Sequence, residues 1–113
     1  VELLDQSKID RLAEEIGAEN VPLLLEIFLG ELQTYITKLS QLEGQEQALY
    51  LKEISHALKS SAASFGAEAL RAHSADVDSS AKSGGMLDST DHKQQMLSLL
   101  SDTQQRYQGL YDQ

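Results

Sequence analysis

Val21, Leu25, Phe28, Leu32, Tyr35, Leu39 and Leu42 follow one another in alternating steps of four and three residues. That spacing places all of them on one stripe of an α-helix, the seam by which a helix packs into a bundle. Asn20 is positioned to cap this helix. Pro22 lies in its first turn, where a missing N–H costs nothing, and the helix is expected to end near Gly44. The rest of the chain follows the same rule, and period-two alternation is almost absent. A first helix is expected over 5–16, capped by Asp5 or Ser7, with Ile9, Leu12 and Ile16 inward and Gly17 as its stop. A third is expected over 45–64, on a seam of Leu51, Ile54, Leu58, Ser61 and Phe65, and broken by Gly66 in the left-handed region. A fourth over 67–82 turns Leu70, Val77 and Ala81 inward. After a loop at Ser83, Gly84 and Gly85, a fifth over 88–110 turns Met96, Leu100, Tyr107 and Leu110 inward. With only Gly66 between them, the third and fourth helices should form an antiparallel hairpin. The expected fold is all-α, an up-and-down four-helix bundle with a short N-terminal capping helix, as one domain over residues 1–113.

A chain of 113 residues suits one core. It has no cysteine, which excludes disulfides, thiolate metal sites and cysteine nucleophiles. No apolar run approaches the roughly 20 residues of a membrane span, and the N-terminus lacks the basic and apolar regions of a signal peptide. A soluble, cytoplasmic protein is expected, and a monomer, because the seams are consumed inside one bundle. The net charge of −9 makes nucleic acid and anionic membranes poor partners. The charge is unevenly spread. Residues 1–49 hold ten acids and three bases, and 84–113 hold four and two, whereas 50–83 hold four of each. The balanced segment contains His56.

The chain carries no glycine-rich phosphate loop, no GxSxG, no HExxH and no paired metal-ligand spacing. Its carboxylates are assigned to outward, solvated faces. Neither a resident metal nor a cofactor is expected. Three histidines remain. At about 100° per residue, His56 falls about 200° from Ile54, opposite the third helix's seam. Lys52, Lys59 and Ala63 share that outer face, and Ser60 flanks it. A neutral imidazole, with an ordinary pKa of about 6.5, attacks phosphorus near neutral pH without metal or base. The product carries a charge of up to about −2, which neighbouring lysines can partly neutralise, while small residues let another backbone approach. The same geometry equally describes an ordinary solvated histidine beside helix lysines. His73 reads as a core-flanking residue bonded to a neighbour, and His92 as a surface residue in the cap region of the fifth helix, near Asp88 and Asp91.

The run from His56 to Ala67, His-Ala-Leu-Lys-Ser-Ser-Ala-Ala-Ser-Phe-Gly-Ala, followed by Leu70, closely resembles the signature of histidine phosphotransfer (HPt) domains. In that family a histidine is followed by lysine at i+3, by small residues, and by glycine at i+10. Many members carry glycine after the lysine, where this chain has Ser60. The resemblance implies that His56 is phosphorylated at Nε2, that Lys59 contacts phosphate or partner, and that Gly66 breaks the helix. It also implies a phosphocarrier without ATP-dependent kinase activity. Its partners would be the receiver domains of hybrid sensor kinases and of a downstream response regulator, with Mg²⁺ held by the receiver. The runner-up function is a non-phosphorylated helical adaptor using the same face, with Lys52, Lys59, Ser60 and Ala63 as partner contacts.

Overall fold

The computed structural model describes residues 2–111. Among these residues there are five α-helices and no strand: α1 (Gln6–Ile16), α2 (Val21–Ser40), α3 (Gly44–Phe65), α4 (Glu68–Lys82) and α5 (Thr90–Tyr111). A single 3-10 turn over Ala18–Asn20 joins α1 to α2. Helix α2 packs against α5 and α3, α3 against α4, and α4 against α5, while α1 lies across α2 and α3. This is the expected four-helix bundle with its cap. No helix among the described residues is long and apolar enough to cross a membrane.

The core follows the predicted seams, with Leu4, Tyr50, Ala62, Ala67 and Leu87 added to them. Phe28, Leu32, Leu39, Leu51, Ile54, Leu58, Leu70, Met96, Leu100 and Tyr107 are buried. Phe28 stacks on Phe65 with centroids 4.5 Å apart and meets Tyr107 edge-on at 5.5 Å. The Tyr107 hydroxyl donates to the Phe65 carbonyl at 2.6 Å, so α5 is bonded to the end of α3. On α3 the buried line runs through Ala62, whereas Ser61 and Phe65 flank it. Ser61 donates instead to Glu31 of α2 at 3.0 Å.

Two boundaries differ from expectation. Helix α2 stops at Ser40 rather than near Gly44, because Gln41 and Leu42 turn their N–H groups back to Lys38 and Leu39. Lys93 of α5 then donates to the Leu42 carbonyl at 2.8 Å. Helix α5 starts at Thr90 rather than at Asp88, because the loop is longer than glycine content indicated. Leu87 plugs the core, and buried Gln47 donates to the carbonyls of Leu87 and Ser89 at 3.0 and 2.8 Å. Asn20 also departs from the cap expected of it. It lies in the right-handed helical region, and its amide donates back to the Ile16 carbonyl at 2.6 Å.

The α3–α4 hairpin turns on Gly66, which lies at φ 77° and ψ 19°. The Ala67 N–H bonds to the Ala62 carbonyl at 2.8 Å and the Gly66 N–H to Ala63 at 3.3 Å, the paired closure of a Schellman motif. The N-terminal segment is tied to this turn. Asp5 donates its N–H to the Gly66 carbonyl at 2.7 Å, and the Ala69 N–H reaches the Glu2 carbonyl at 2.8 Å. The Asp5 carboxylate meanwhile caps α1 by accepting from the Ser7 N–H at 3.0 Å. A Cβ added at Gly66 would lie 2.5 Å from the Asp5 carbonyl oxygen and 2.9 Å from Lys8 Cβ. Gly66→Ala should therefore combine left-handed strain with a backbone clash and cost about 2–4 kcal/mol. Urea denaturation checks this, and a variant within 0.5 kcal/mol, roughly the scale of a neutral surface change, would contradict it.

Candidate functional site

Residues equally distant from a hairpin turn lie opposite one another. His56 is ten residues before Gly66 and Asp78 is twelve after it, and the hairpin sets them side by side. The His56 side chain is 70% exposed, at mid-helix and away from the core, as its angular position predicted. Its Nδ1 lies 3.6 Å from Asp78 Oδ1. That is beyond hydrogen-bond length as it stands, within reach of a small ring rotation.

Asp78 is the residue beside His56 that sequence reasoning missed. Carboxylates were assigned to outward faces, yet Asp78 is 2% exposed. It is covered by the groups it binds: Lys59 Nζ lies 2.7 Å and Lys82 Nζ 2.9 Å from its Oδ2. Hydrogen bonds from Lys59 and then Lys82 hold its carboxyl at about 2, below the ordinary 3.8, against the opposing effect of burial. The same bond raises the Lys82 ammonium above its ordinary value. The signal was present in two places. Asp78 and Lys82 are an i, i+4 pair, and the two-residue turn at Gly66 and Ala67 fixes the register that carries Asp78 to His56.

The other predicted site residues divide. Lys52 and Ser60 are exposed on the His56 helix. Lys59 is expected on the outer face beside His56; its side chain is 35% exposed and bound to Asp78. Ala63 is half-buried, because α1 crosses this end of α3. Together with Ser64 it lines a groove of about 200 Å³ shared with Lys8, Arg11, Leu12 and Glu15. Three cations, Lys52, Lys59 and Lys82, and one buried carboxylate therefore accompany the exposed ring.

The remaining histidines lie elsewhere. His73 is half-buried in a cavity of about 240 Å³ between α4 and α5 that Asp76, His92 and Gln95 also line. It was expected to be bonded to a neighbour, but its buried Nε2 has no hydrogen-bond partner. Burial pushes its pKa down, opposed by Asp76 and aided by His92. His92 sits in the cap of α5 as expected: Ser89 Oγ accepts its N–H at 3.2 Å and bonds its Nδ1 at 2.6 Å. No group of three or more potential metal ligands occurs among the described residues.

An exposed mid-helix histidine on a four-helix bundle, with lysines beside it, is the arrangement that the resemblance to histidine phosphotransfer domains implies. The Hpt domain model matches residues 23–106, and the chain belongs to that family. It is 56% identical over 109 residues to the phosphorelay protein LuxU of Vibrio cholerae serotype O1, covering 96% of each chain. Over 108 residues it is 50% identical to LuxU of Vibrio harveyi, covering 96% of this chain and 95% of the other. It is 53% identical over 107 residues to LuxU of Vibrio vulnificus, covering 95% and 93%. No solved structure matches the chain.

Two acid-sensitive groups with separate windows follow from this geometry. The neutral His73 ring is favoured in the folded state, so the unfolded chain takes up protons first as pH falls below about 6.5. Stability should decline from there through the depressed folded value, and His73→Gln should flatten that decline. The Asp78 contribution is complete above the ordinary 3.8 and is lost as pH falls towards about 2. Asp78→Asn should thus be less stable than the parent at pH 7, with the difference closing at the acid end. Urea melts across the pH range read both effects. An unchanged His73→Gln profile, or a constant Asp78→Asn deficit, would contradict them.

Proposed function

We propose that this chain is the phosphoryl carrier of a multistep phosphorelay. His56 takes a phosphoryl group from the receiver-domain aspartate of a hybrid sensor kinase and passes it to the receiver of a LuxO-like response regulator in quorum sensing. The observation that carries this reading is the His56 ring, standing clear of the bundle on the Hpt-family helix with Lys59 one turn beyond it. Similarity to proteins named as phosphorelay proteins supports the same direction.

The chemistry needs little from the carrier. Nε2 attacks the phosphorus of the acyl phosphate in line. The new N–P bond forms as the P–O bond breaks, and the electron pair leaves with the aspartate carboxylate. Mg²⁺ bound by the receiver neutralises the transferring oxygens, so the carrier needs no metal of its own. Exposed Ser60 and the groove beside Ala63 belong to the docking face on this reading, and Lys52 lies on the same side. The chain works as a cytoplasmic monomer and does not phosphorylate itself from ATP.

Incubation with a phosphorylated receiver and Mg²⁺ should label the protein on His56, as mapped by mass spectrometry, and ATP alone should not label it. His56→Gln should abolish labelling while leaving stability within about 0.5 kcal/mol, since the ring is exposed. Labelling of the His56→Gln variant would move the site and overturn the reading. Receiver binding with no transfer to the parent protein would favour the helical adaptor instead.

A further inference from the structure

We infer that Asp78 is a positioning residue for phosphotransfer: its carboxylate sets the His56 tautomer through Nδ1 and holds Lys59 and Lys82 as a paired cation site for the phosphoryl group. The inference rests on the phosphocarrier reading above and adds two residues to it, Asp78 and Lys82.

The two carboxylate oxygens divide the work. Oδ1 faces His56 Nδ1 at 3.6 Å, while Oδ2 takes both ammonium groups, at 2.7 Å from Lys59 and 2.9 Å from Lys82. An ionised carboxylate only accepts, so a neutral imidazole turned towards it must present an N–H. With the proton on Nδ1, the lone pair lies on Nε2, at the exposed edge of the ring. That is the nitrogen a partner can reach. The carboxylate stays ionised through the neutral range, because the two lysines hold it well below ordinary carboxylates.

The same carboxylate serves the product. When Nε2 attacks phosphorus, no proton leaves the ring. Nδ1 keeps its hydrogen and the imidazole acquires positive charge as the N–P bond forms. That charge develops beside Asp78, whose attraction for the ring is stronger after attack than before it, the condition for a contact to accelerate a step. The incoming phosphoryl oxygens need cations, and each lysine ammonium carries three donors, of which Asp78 occupies one. Lys82 is 58% exposed and Lys59 35% exposed, so both keep donors open to solvent beside Asp78. Anchoring to a buried carboxylate limits the rotamer freedom that a free lysine would lose on meeting phosphate.

Two measurements test this on the full chain. Proton–nitrogen correlation spectra of the imidazole rings at alkaline pH report the tautomer. His56 should carry its proton on Nδ1 in the parent protein, and Asp78→Asn and Asp78→Ala should lose that bias. Rapid-quench transfer from a phosphorylated receiver should slow by about tenfold or more in Asp78→Asn, the scale of one charge-assisted contact. Its affinity for the unphosphorylated receiver, by calorimetry, should be unchanged. Lys82→Met should slow transfer by a similar order, and Lys59→Met/Lys82→Met by more than either single change. Asp78→Asn transferring at the parental rate would overturn the inference, as would a slowed rate explained by lost receiver affinity. Should the Asp78 variants fail to fold, an Nε2–H tautomer in the parent, or Lys82→Met at the parental rate, would overturn it instead. A parent protein that takes no label on His56 sinks the phosphocarrier reading, a different outcome from a labelled parent whose Asp78 and Lys82 variants behave normally.

Discussion

The left-handed turn at Gly66 is the constraint on which the site depends. A link of two residues, Gly66 and Ala67, leaves little slack, so the register of α4 against α3 is set by backbone geometry rather than by side-chain preference. The Asp5 N–H bonded to the Gly66 carbonyl, together with the Ala69–Glu2 bond, fastens the N-terminal segment and α1 onto the same turn. From that point the hairpin runs back with Leu58 and Ala62 against Leu70 and the core, and its outer edge brings Asp78 beneath His56. The turn thus acts on the site from ten residues away. The motif's glycine and its histidine are two ends of one mechanical arrangement.

Stability and chemistry are carried by opposite faces of α3. Leu51, Ile54 and Leu58 are essentially inaccessible, and the aromatic cluster of Phe28, Phe65 and Tyr107 closes the end nearest the turn. The outward face contributes little to the core, which leaves it free to carry an exposed nucleophile and short side chains. The Asp78–Lys59–Lys82 group bridges the two helices on that outer face, and it forms a charged surface without thinning the core.

What the sequence revealed and what it concealed follow from the range of the interactions involved. Helix existence was legible because seams such as Val21 to Leu39 repeat within one element, and the Asp5 cap, the Gly17 stop and the Gly66 turn are local backbone events. The exposure of His56 followed from angle alone. The early end of α2 and the late start of α5 did not, since they depend on Lys93 reaching Leu42 and on Gln47 reaching Leu87 and Ser89 across the bundle. On α3 the buried line passes through Ala62 rather than Ser61 and Phe65, a difference of one position that small residues do not announce. Asp78 was concealed for a further reason: a charged residue is normally solvated, and its burial becomes reasonable only when two lysines from different helices are brought to it.

A carboxylate beside a phosphate-handling histidine has a physical justification in what a carrier must do. A binding site is rewarded for holding phosphate tightly, whereas a carrier must give it up to the next aspartate. Two lysines facing a dianion with no counter-charge would hold the phosphoryl group tightly and raise the barrier to onward transfer. With Asp78 between them, part of their charge is already spent when the protein is unphosphorylated, and the phosphoryl group gains only the difference. The carboxylate is repelled by the phosphoryl oxygens and attracted by the charged ring to which they are attached, so its two effects on the product oppose each other. Asp78, Lys59 and Lys82 all lie within residues 50–83, the segment whose four acids and four bases balance in a chain of net charge −9.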